Sequence, residues 1–267
     1  MEIQWSLVLF TALSGSGGWM FVCVAADEFL GRTKKTSFFA SVVAFIVAVA
    51  GGLCSVTHLS HPDRILGALS HPTSGIFTEA VLIGLFCVFV AIYAVLLKRE
   101  ASAGARKVIA VIAAVLGVLL AFMAGESYLM SSRPNWDTQL LPLGYALTAA
   151  PAGVAAYVAV VSVRDKDADA KPYYLALIIA GVLAAAGALA FAVSTDELAT
   201  VAVLTAVCVI AGGVVPVVSG ALMRNKPQLV LALAIVSVVC AFAGEIAYRC
   251  IMWVVATPIA DLFGTVI

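Results

Sequence analysis

Three glutamates interrupt apolar stretches that otherwise carry almost no charge: Glu79, Glu126 and Glu245. Arg249 follows Glu245 by four residues, which is one turn of a helix. An ionisable side chain inside a membrane span is costly, and it usually faces a cavity or a partner. These four residues are therefore the first candidates for binding or proton transfer.

Histidine is confined to one short segment between the second and third apolar stretches, where His58 and His61 are followed by Arg64. Because one loop joins these two stretches, we expect His58 and Glu79 to be neighbours in the fold. A neutral imidazole accepts a hydrogen bond or a proton near physiological pH, and a carboxylate can carry the proton onward. The pair predicts a proton-accepting site.

Each of the other candidates also has a structural interpretation. Glu245 and Arg249 lie on one helix face, and they could simply neutralise each other within the helix packing. Glu126 could hydrogen-bond a neighbouring helix, and His61 could be a solvated loop residue. The sequence leaves both interpretations open for these residues.

The remaining motifs argue against several cofactors. A haem held by two histidines needs them on facing helices, whereas all three histidines here lie in one segment. The six cysteines lack the C-x-x-C spacing of iron-sulfur or zinc ligands. Pairs of close glycines lack the Lys-Ser or Lys-Thr of a phosphate loop and indicate helix packing instead; they are Gly15, Gly17, Gly18, Gly212 and Gly213.

The elements that position these residues are membrane helices. The protein is 63% hydrophobic and 11% charged, and its zero net charge gives no indication of a nucleic-acid partner. A span needs about 20 apolar residues. The sequence predicts one all-α integral membrane domain over residues 1–267, with eight spans near 4–30, 37–59, 75–97, 106–131, 138–163, 172–193, 199–222 and 228–253.

Positive charge is concentrated on one side of these spans. Twelve of the fifteen Lys and Arg residues lie in the loops after spans one, three, five and seven, which we call the basic face. The opposite side, where the first span begins and the last ends, is called the terminal face. The positive-inside rule predicts that both termini are on the outer side of the membrane. Trp5, Trp136 and Trp253 lie at the terminal-face ends of their spans, as expected for interfacial rings.

A short internal similarity relates the fourth and eighth spans. Residues 121–128 (AFMAGESY) resemble residues 241–248 (AFAGEIAY). This pattern predicts two four-helix units if the protein arose by duplication. Coincidence in an alanine-rich membrane sequence explains it equally well.

Five segments in order along the sequence resemble one known family, the membrane-anchor subunit (DmsC type) of dimethyl sulfoxide reductase and related molybdopterin oxidoreductases. They are residues 5–11 (WSLVLFT), 57–64 (THLSHPDR), 77–80 (FTEA), 133–138 (RPNWDT) and 244–249 (GEIAYR). The similarity runs through nearly the whole sequence.

The resemblance implies a haem-free integral subunit of a bacterial cytoplasmic (inner) membrane that oxidises membrane quinol, typically menaquinol, in anaerobic respiration. It implies partners docked on the outer face: an iron-sulfur electron-transfer subunit and, through it, a molybdopterin catalytic subunit, with membrane lipid around the spans. The protein would then be the quinol-oxidising part of an oxidoreductase, without terminal reductase chemistry or an iron-sulfur cluster of its own. His58 and Glu79 match the family's quinol site. A wider set of quinol-binding candidates comprises His61, Arg64, Glu126, Tyr128, Glu245 and Arg249.

Two other functions fit parts of the pattern. Eight spans, a repeat and buried acids are compatible with a secondary transporter, but the candidate acids lie toward one face and not at the midplane expected of a transport site. A purely structural anchor without a quinol site is the second alternative. The terminal electron acceptor and the exact quinone stay open, because a catalytic partner selects the acceptor.

Overall fold

The computed structural model describes residues 2–31, 34–57, 73–165 and 167–256, and within these ranges it contains helices and no strands. Eight of the helices are long and apolar enough to cross a membrane, as the sequence predicts. They are α1 (Trp5–Leu30), α2 (Lys34–Val56), α3 (Gly75–Lys98), α4 (Ala103–Glu126), α5 (Leu140–Arg164), α6 (Lys171–Ser194), α7 (Leu198–Asn225) and α8 (Val230–Val254).

The helices pack as two groups of four joined through α1 and α5. Helix α1 packs against α2 and α4, with α3 completing the first group against α4, while α5 packs against α6 and α8 with α7 between them. Helices α1 and α5 also pack against each other. In the most apolar stretch of α1, 72% of the residues are buried, compared with 17% in the corresponding stretch of α3. Helix α3 is therefore the least buried of the eight spans.

Local sequence determines several helix ends. Gly31 ends α1 in the left-handed conformation with φ 69°, and its N–H donates to the Asp27 carbonyl at 2.8 Å. Ser74 caps α3 by accepting a hydrogen bond from the Phe77 N–H at 3.1 Å. These caps satisfy backbone groups that would otherwise be unpaired at the helix ends.

Helix α7 contains a π-helical segment at Cys208–Val214. Pro216 follows this segment and has no N–H to donate to the carbonyl four residues earlier, at Gly212. A local π segment is one way for a helix to accommodate such a break. The single span predicted near 199–222 is therefore one helix with an irregular middle.

The glycines serve close helix packing, as predicted. A Cβ atom added to Gly18 of α1 would lie 2.6 Å from the Gly117 carbonyl oxygen of α4. A Cβ added to Gly244 of α8 would lie 2.5 Å from the Gly212 Cα of α7. Only glycine permits these backbones to approach so closely.

Candidate functional site

Three of the predicted site residues, His58, His61 and Arg64, lie outside the described residues. The packing of the helices on either side of that segment is described. A Cβ added to Gly52 of α2 would lie 3.1 Å from the Ile83 Cδ1 of α3, so these two helices are neighbours, as expected for spans joined by one loop. The described part of the predicted quinol site is therefore the end of α3 that carries Glu79.

Glu79 lies in the second turn of α3, where it meets the end of α4 at the terminal face. Its carboxyl group lies near the Ser127 hydroxyl, which itself donates to the Met123 carbonyl at 2.9 Å. The two segments are close because Gly75 has no side chain: a Cβ there would lie 2.7 Å from both Cβ and Oγ of Ser127. Glu79 is half-buried, so its carboxyl group is neither in bulk water nor sealed in the core.

Tyr128 follows Ser127 and is close enough to Glu79 to feel its charge. Its ring centroid lies 6.1 Å from that of Tyr145 on α5. Burial raises the pKa of the Tyr128 hydroxyl well above its usual range; Tyr145 and Glu79 add to the rise, and Arg249 opposes it. The hydroxyl therefore stays protonated, and within the described part of the protein it has no hydrogen-bond partner. We call Glu79, Ser127, Tyr128 and Tyr145 the terminal cluster.

Two tryptophans fix the other side of Tyr128. Trp136 and Trp253 lie edge-to-face with ring centroids 5.7 Å apart, and each stands edge-to-face with Tyr128, at 5.8 and 5.9 Å. The indole N–H of Trp136 donates to the Met252 carbonyl at 2.8 Å. These two rings are 3% and 4% exposed, so they are packed inside the protein at the span ends and do not face the headgroups, whereas Trp5 is 55% exposed. Aromatic pairs in this geometry rigidify the surroundings of the Tyr128 ring.

Glu245 and Arg249 of α8 form an ion pair that is completely buried, with Arg249 Nη2 2.9 Å from Glu245 Oε1. Glu245 Oε1 accepts no hydrogen bond among the described residues, so this contact is an ion pair only. The same nitrogen, Nη2, donates to the Thr11 carbonyl at 3.1 Å. Arg249 Nε donates to Thr11 Oγ1 at 2.7 Å and Nη1 to the Glu245 carbonyl at 3.0 Å. The Ser16 hydroxyl donates to Glu245 Oε2 at 2.8 Å.

This buried network connects α8 to α1 and reaches the terminal cluster through one ring. The Arg249 guanidinium lies 4.6 Å from the centroid of the Tyr145 ring, which is the position of a cation–π contact. Neither Arg249 nor Glu245 has any exposed surface. The pair predicted from the four-residue spacing is therefore present, and its two charges face each other inside the protein.

Glu126 ends α4, immediately before Ser127. Its Oε2 atom is buried and has no hydrogen-bond partner among the described residues. Oε2 therefore does not form the hydrogen bond to a neighbouring helix that the structural interpretation of Glu126 predicts.

The sequence analysis missed a second polar cluster, at the basic face. Asp27 is 2% exposed and accepts a hydrogen bond from the Tyr173 hydroxyl at 2.7 Å. Glu28 accepts from the Tyr93 hydroxyl at 2.7 Å and pairs with Arg106 Nε at 2.9 Å. The sequence feature that could have indicated this cluster is the pair of adjacent acids, Asp27 and Glu28, at the end of an apolar span. Their partners are far away in the sequence and could not be paired with them from spacing.

Fold and sequence comparison together define a class, the multi-pass membrane anchor subunits. The protein belongs to the family described as "DMSO reductase anchor subunit (DmsC)", which matches residues 1–253. It is similar to the C subunit of the anaerobic dimethyl sulfoxide reductase of Haemophilus influenzae, with 28% identity over 157 residues. That alignment spans about half of each protein, 55% of this one and 55% of the relative.

Proposed function

We propose that this subunit oxidises a membrane quinol, menaquinol by family resemblance, at the terminal face. The electrons would pass to an iron-sulfur subunit and through it to a molybdopterin catalytic subunit. The observation that carries the proposal is the terminal cluster. It combines a half-buried carboxyl group with a tyrosine hydroxyl close enough to feel its charge and without a partner among the described residues, at the end of the least buried span.

Access from the bilayer supports a lipid-soluble substrate. Helix α3 is the least covered of the eight spans, and Ile76 in its first turn is 53% exposed. A quinol headgroup can approach the Glu79 end of α3 from the membrane while its isoprenoid tail stays in lipid. A water-soluble substrate would gain nothing from this apolar approach.

The proton chemistry follows from the groups present. Oxidation of one quinol to quinone releases two protons and two electrons. The Tyr128 hydroxyl is protonated and would donate a hydrogen bond to one headgroup oxygen, holding the ring in place. The Glu79 carboxylate would accept a proton from the other hydroxyl, and His58 would accept the second, as the family resemblance indicates.

Ser127 gives the Glu79 carboxyl a fixed neighbour. From Glu79 the protons would leave to the water at the terminal face. The two electrons would leave separately, to the partner subunit docked on that face. With the termini outside, as the positive-inside rule predicts, protons are released on the side where the quinol is oxidised, and this subunit moves no charge across the membrane.

The buried Arg249–Glu245 pair has a supporting role in this proposal. Three N–H groups of Arg249 donate to oxygen atoms of α1 and α8. Its contact with the headgroup would require the network to open. Arg249 contacts the terminal cluster through the face of the Tyr145 ring, in a cation–π contact.

The test compares quinol oxidation in the detergent-purified complex for wild type, His58→Ala and Glu79→Gln. Glu197→Gln is the matched control, because Glu197 is an exposed acid at the same face, outside the cluster. An artificial donor that reduces the catalytic subunit directly measures assembly. General-base groups contribute about 10²–10⁴ in rate, so both site variants should lose at least ~100-fold of menaquinol-analogue oxidation and keep the artificial-donor activity.

Three other outcomes contradict the proposal. Full quinol oxidation in both site variants means that the protein is a structural anchor and that quinol reacts elsewhere. Equal loss in Glu197→Gln means that the assay reports general damage at the terminal face. Copurification of no partner subunit at all removes the electron acceptor and favours transport.

A further inference from the structure

A cavity of about 710 Å³ lies at the basic face, on the opposite side from the terminal cluster. It is formed where α5 ends, α6 begins, α7 ends and α8 begins. Its back wall is apolar and buried, with Val161, Met223 and Val230 at 2%, 1% and 7% exposure. This volume is within the ~300–1,000 Å³ range of sites that hold small molecules.

The mouth of the cavity carries both signs of charge. Lys171 and Arg224 line it as cations, and Asp165 and Asp169 line it as anions. The Asp169 carboxylate already accepts a hydrogen bond from the Lys171 backbone N–H at 3.2 Å. Within the described part of the protein, the side chains of Lys171, Arg224 and Asp165 have no ion-pair or hydrogen-bond partner. Arg224 and Lys171 are exposed, and Asp165 is half-buried. The site therefore offers two cations for an anionic group and, in Asp165, an acceptor for a cationic group, above an apolar wall.

We propose that this cavity binds one phospholipid of the facing leaflet, phosphatidylethanolamine. Its phosphate would lie against Lys171 and Arg224, and its primary ammonium would donate hydrogen bonds to Asp165. The glycerol and the first acyl methylenes would cover the wall of Val161 and Val230. The cavity lies at the ends of four spans, which is the depth of a lipid headgroup.

The choice among lipids follows from Asp165. Phosphatidylglycerol has the phosphate but no cation, and it would place two hydroxyl groups near a carboxylate. Phosphatidylcholine has a cation whose nitrogen carries no N–H, so it cannot donate to Asp165. Of these three lipids, only phosphatidylethanolamine meets both charges with hydrogen bonds. This site is independent of the quinol proposal, because it lies at the other membrane face and uses none of the same residues.

Native mass spectrometry of the delipidated, purified protein with its associated subunits tests the proposal. The protein is offered equimolar phosphatidylethanolamine, phosphatidylglycerol and phosphatidylcholine. One phosphatidylethanolamine should be retained preferentially, and Arg224→Gln should reduce its retention about tenfold, the effect of losing a charge-assisted hydrogen bond. Asp165→Asn should remove the preference for phosphatidylethanolamine over phosphatidylcholine. Arg99→Gln is the matched control, since Arg99 lies at the same face outside the cavity.

The remaining outcomes overturn the proposal. Equal retention of all three lipids that neither variant changes means that the bound lipid is ordinary annular lipid. Displacement of phosphatidylethanolamine by inorganic phosphate assigns the cavity to a free anion. Equal effects of Arg224→Gln and Arg99→Gln mean that the general positive charge of the face, and not this cavity, attracts lipid. Quinol oxidation, measured on the same samples, should be unchanged in all variants, which separates this test from that of the proposed function.

Discussion

Removing one member of the buried Glu245–Arg249 pair should destabilise the protein, whereas replacing both members should not. Arg249→Met removes a cation that lies 2.9 Å from Glu245 Oε1 and makes three hydrogen bonds, at 2.7, 3.0 and 3.1 Å. Glu245 then stays in the core with only the Ser16 hydroxyl as a described partner. Removing one member of a buried pair costs about 3–5 kcal/mol of unfolding free energy.

Adding Glu245→Gln to Arg249→Met should restore most of that loss. The Gln side chain has no charge to desolvate and can still accept from Ser16. The Thr11 hydroxyl loses the N–H of Arg249 but keeps a hydrogen bond, because it donates to the Leu7 carbonyl at 3.0 Å. Replacing both members of a buried pair by uncharged groups is often neutral. The double variant should therefore lie within about 1 kcal/mol of wild type, giving a coupling energy of at least ~2 kcal/mol.

Unfolding by SDS in mixed micelles, followed by tryptophan fluorescence, measures these free energies. Trp136 and Trp253 are packed in the neighbouring aromatic cluster, so their emission reports on this part of the fold. Arg99→Met is the control for loss of an arginine at an exposed position and should change stability by less than ~0.5 kcal/mol. If the double variant is as unstable as Arg249→Met, the cost comes from lost packing and from the Tyr145 contact, and the buried-charge reasoning is refuted.

Three further predictions concern packing and the terminal cluster. Gly18→Val should destabilise the protein by about 1–3 kcal/mol, because its Cβ would overlap Gly117, whereas Gly84→Val, with open space around it, should stay near wild type in the same SDS titration. Ser127→Ala should slow quinol oxidation, whereas Ser127→Thr, which retains a hydroxyl near Glu79, should preserve the rate. Equal steady-state rates in Ser127→Ala and wild type would exclude Ser127 from the site. Tyr128→Phe should lower quinol oxidation without changing the shape of its pH profile between pH 6 and 9, because the raised pKa keeps this hydroxyl protonated throughout; a limb that disappears in the variant would contradict this.

The number and place of the spans were predictable from the sequence. Lipid requires each crossing backbone to satisfy its own hydrogen bonds, so an apolar run of sufficient length becomes a helix regardless of its neighbours. The predicted spans and the observed helices differ at the helix ends. The fourth span was predicted to reach residue 131, and α4 ends at Glu126. Leu129 and Met130 are apolar, and hydropathy alone does not separate the last helical turn from an apolar turn that follows it.

Part of the candidate site was also predictable. Glu79, Tyr128, Glu245 and Arg249 are conspicuous because charge and polarity are costly in a span. The four-residue spacing predicted the Glu245–Arg249 pair, which the structure confirms. The roles of His58, His61 and Arg64 stay predictions, because these residues lie outside the described part of the protein.

The sequence by itself determined a multi-pass membrane protein with eight spans, since each span depends only on its own composition. Only the tertiary structure decided which polar groups meet. Ser16 and Glu245 are 229 residues apart, Thr11 and Arg249 are 238 apart, and Asp27 and Tyr173 are 146 apart. Hydropathy is a sum over neighbours in the sequence, whereas these contacts depend on how helices rotate and pack. The glycines that permit that packing are visible in the sequence, but their partners across the helices are not.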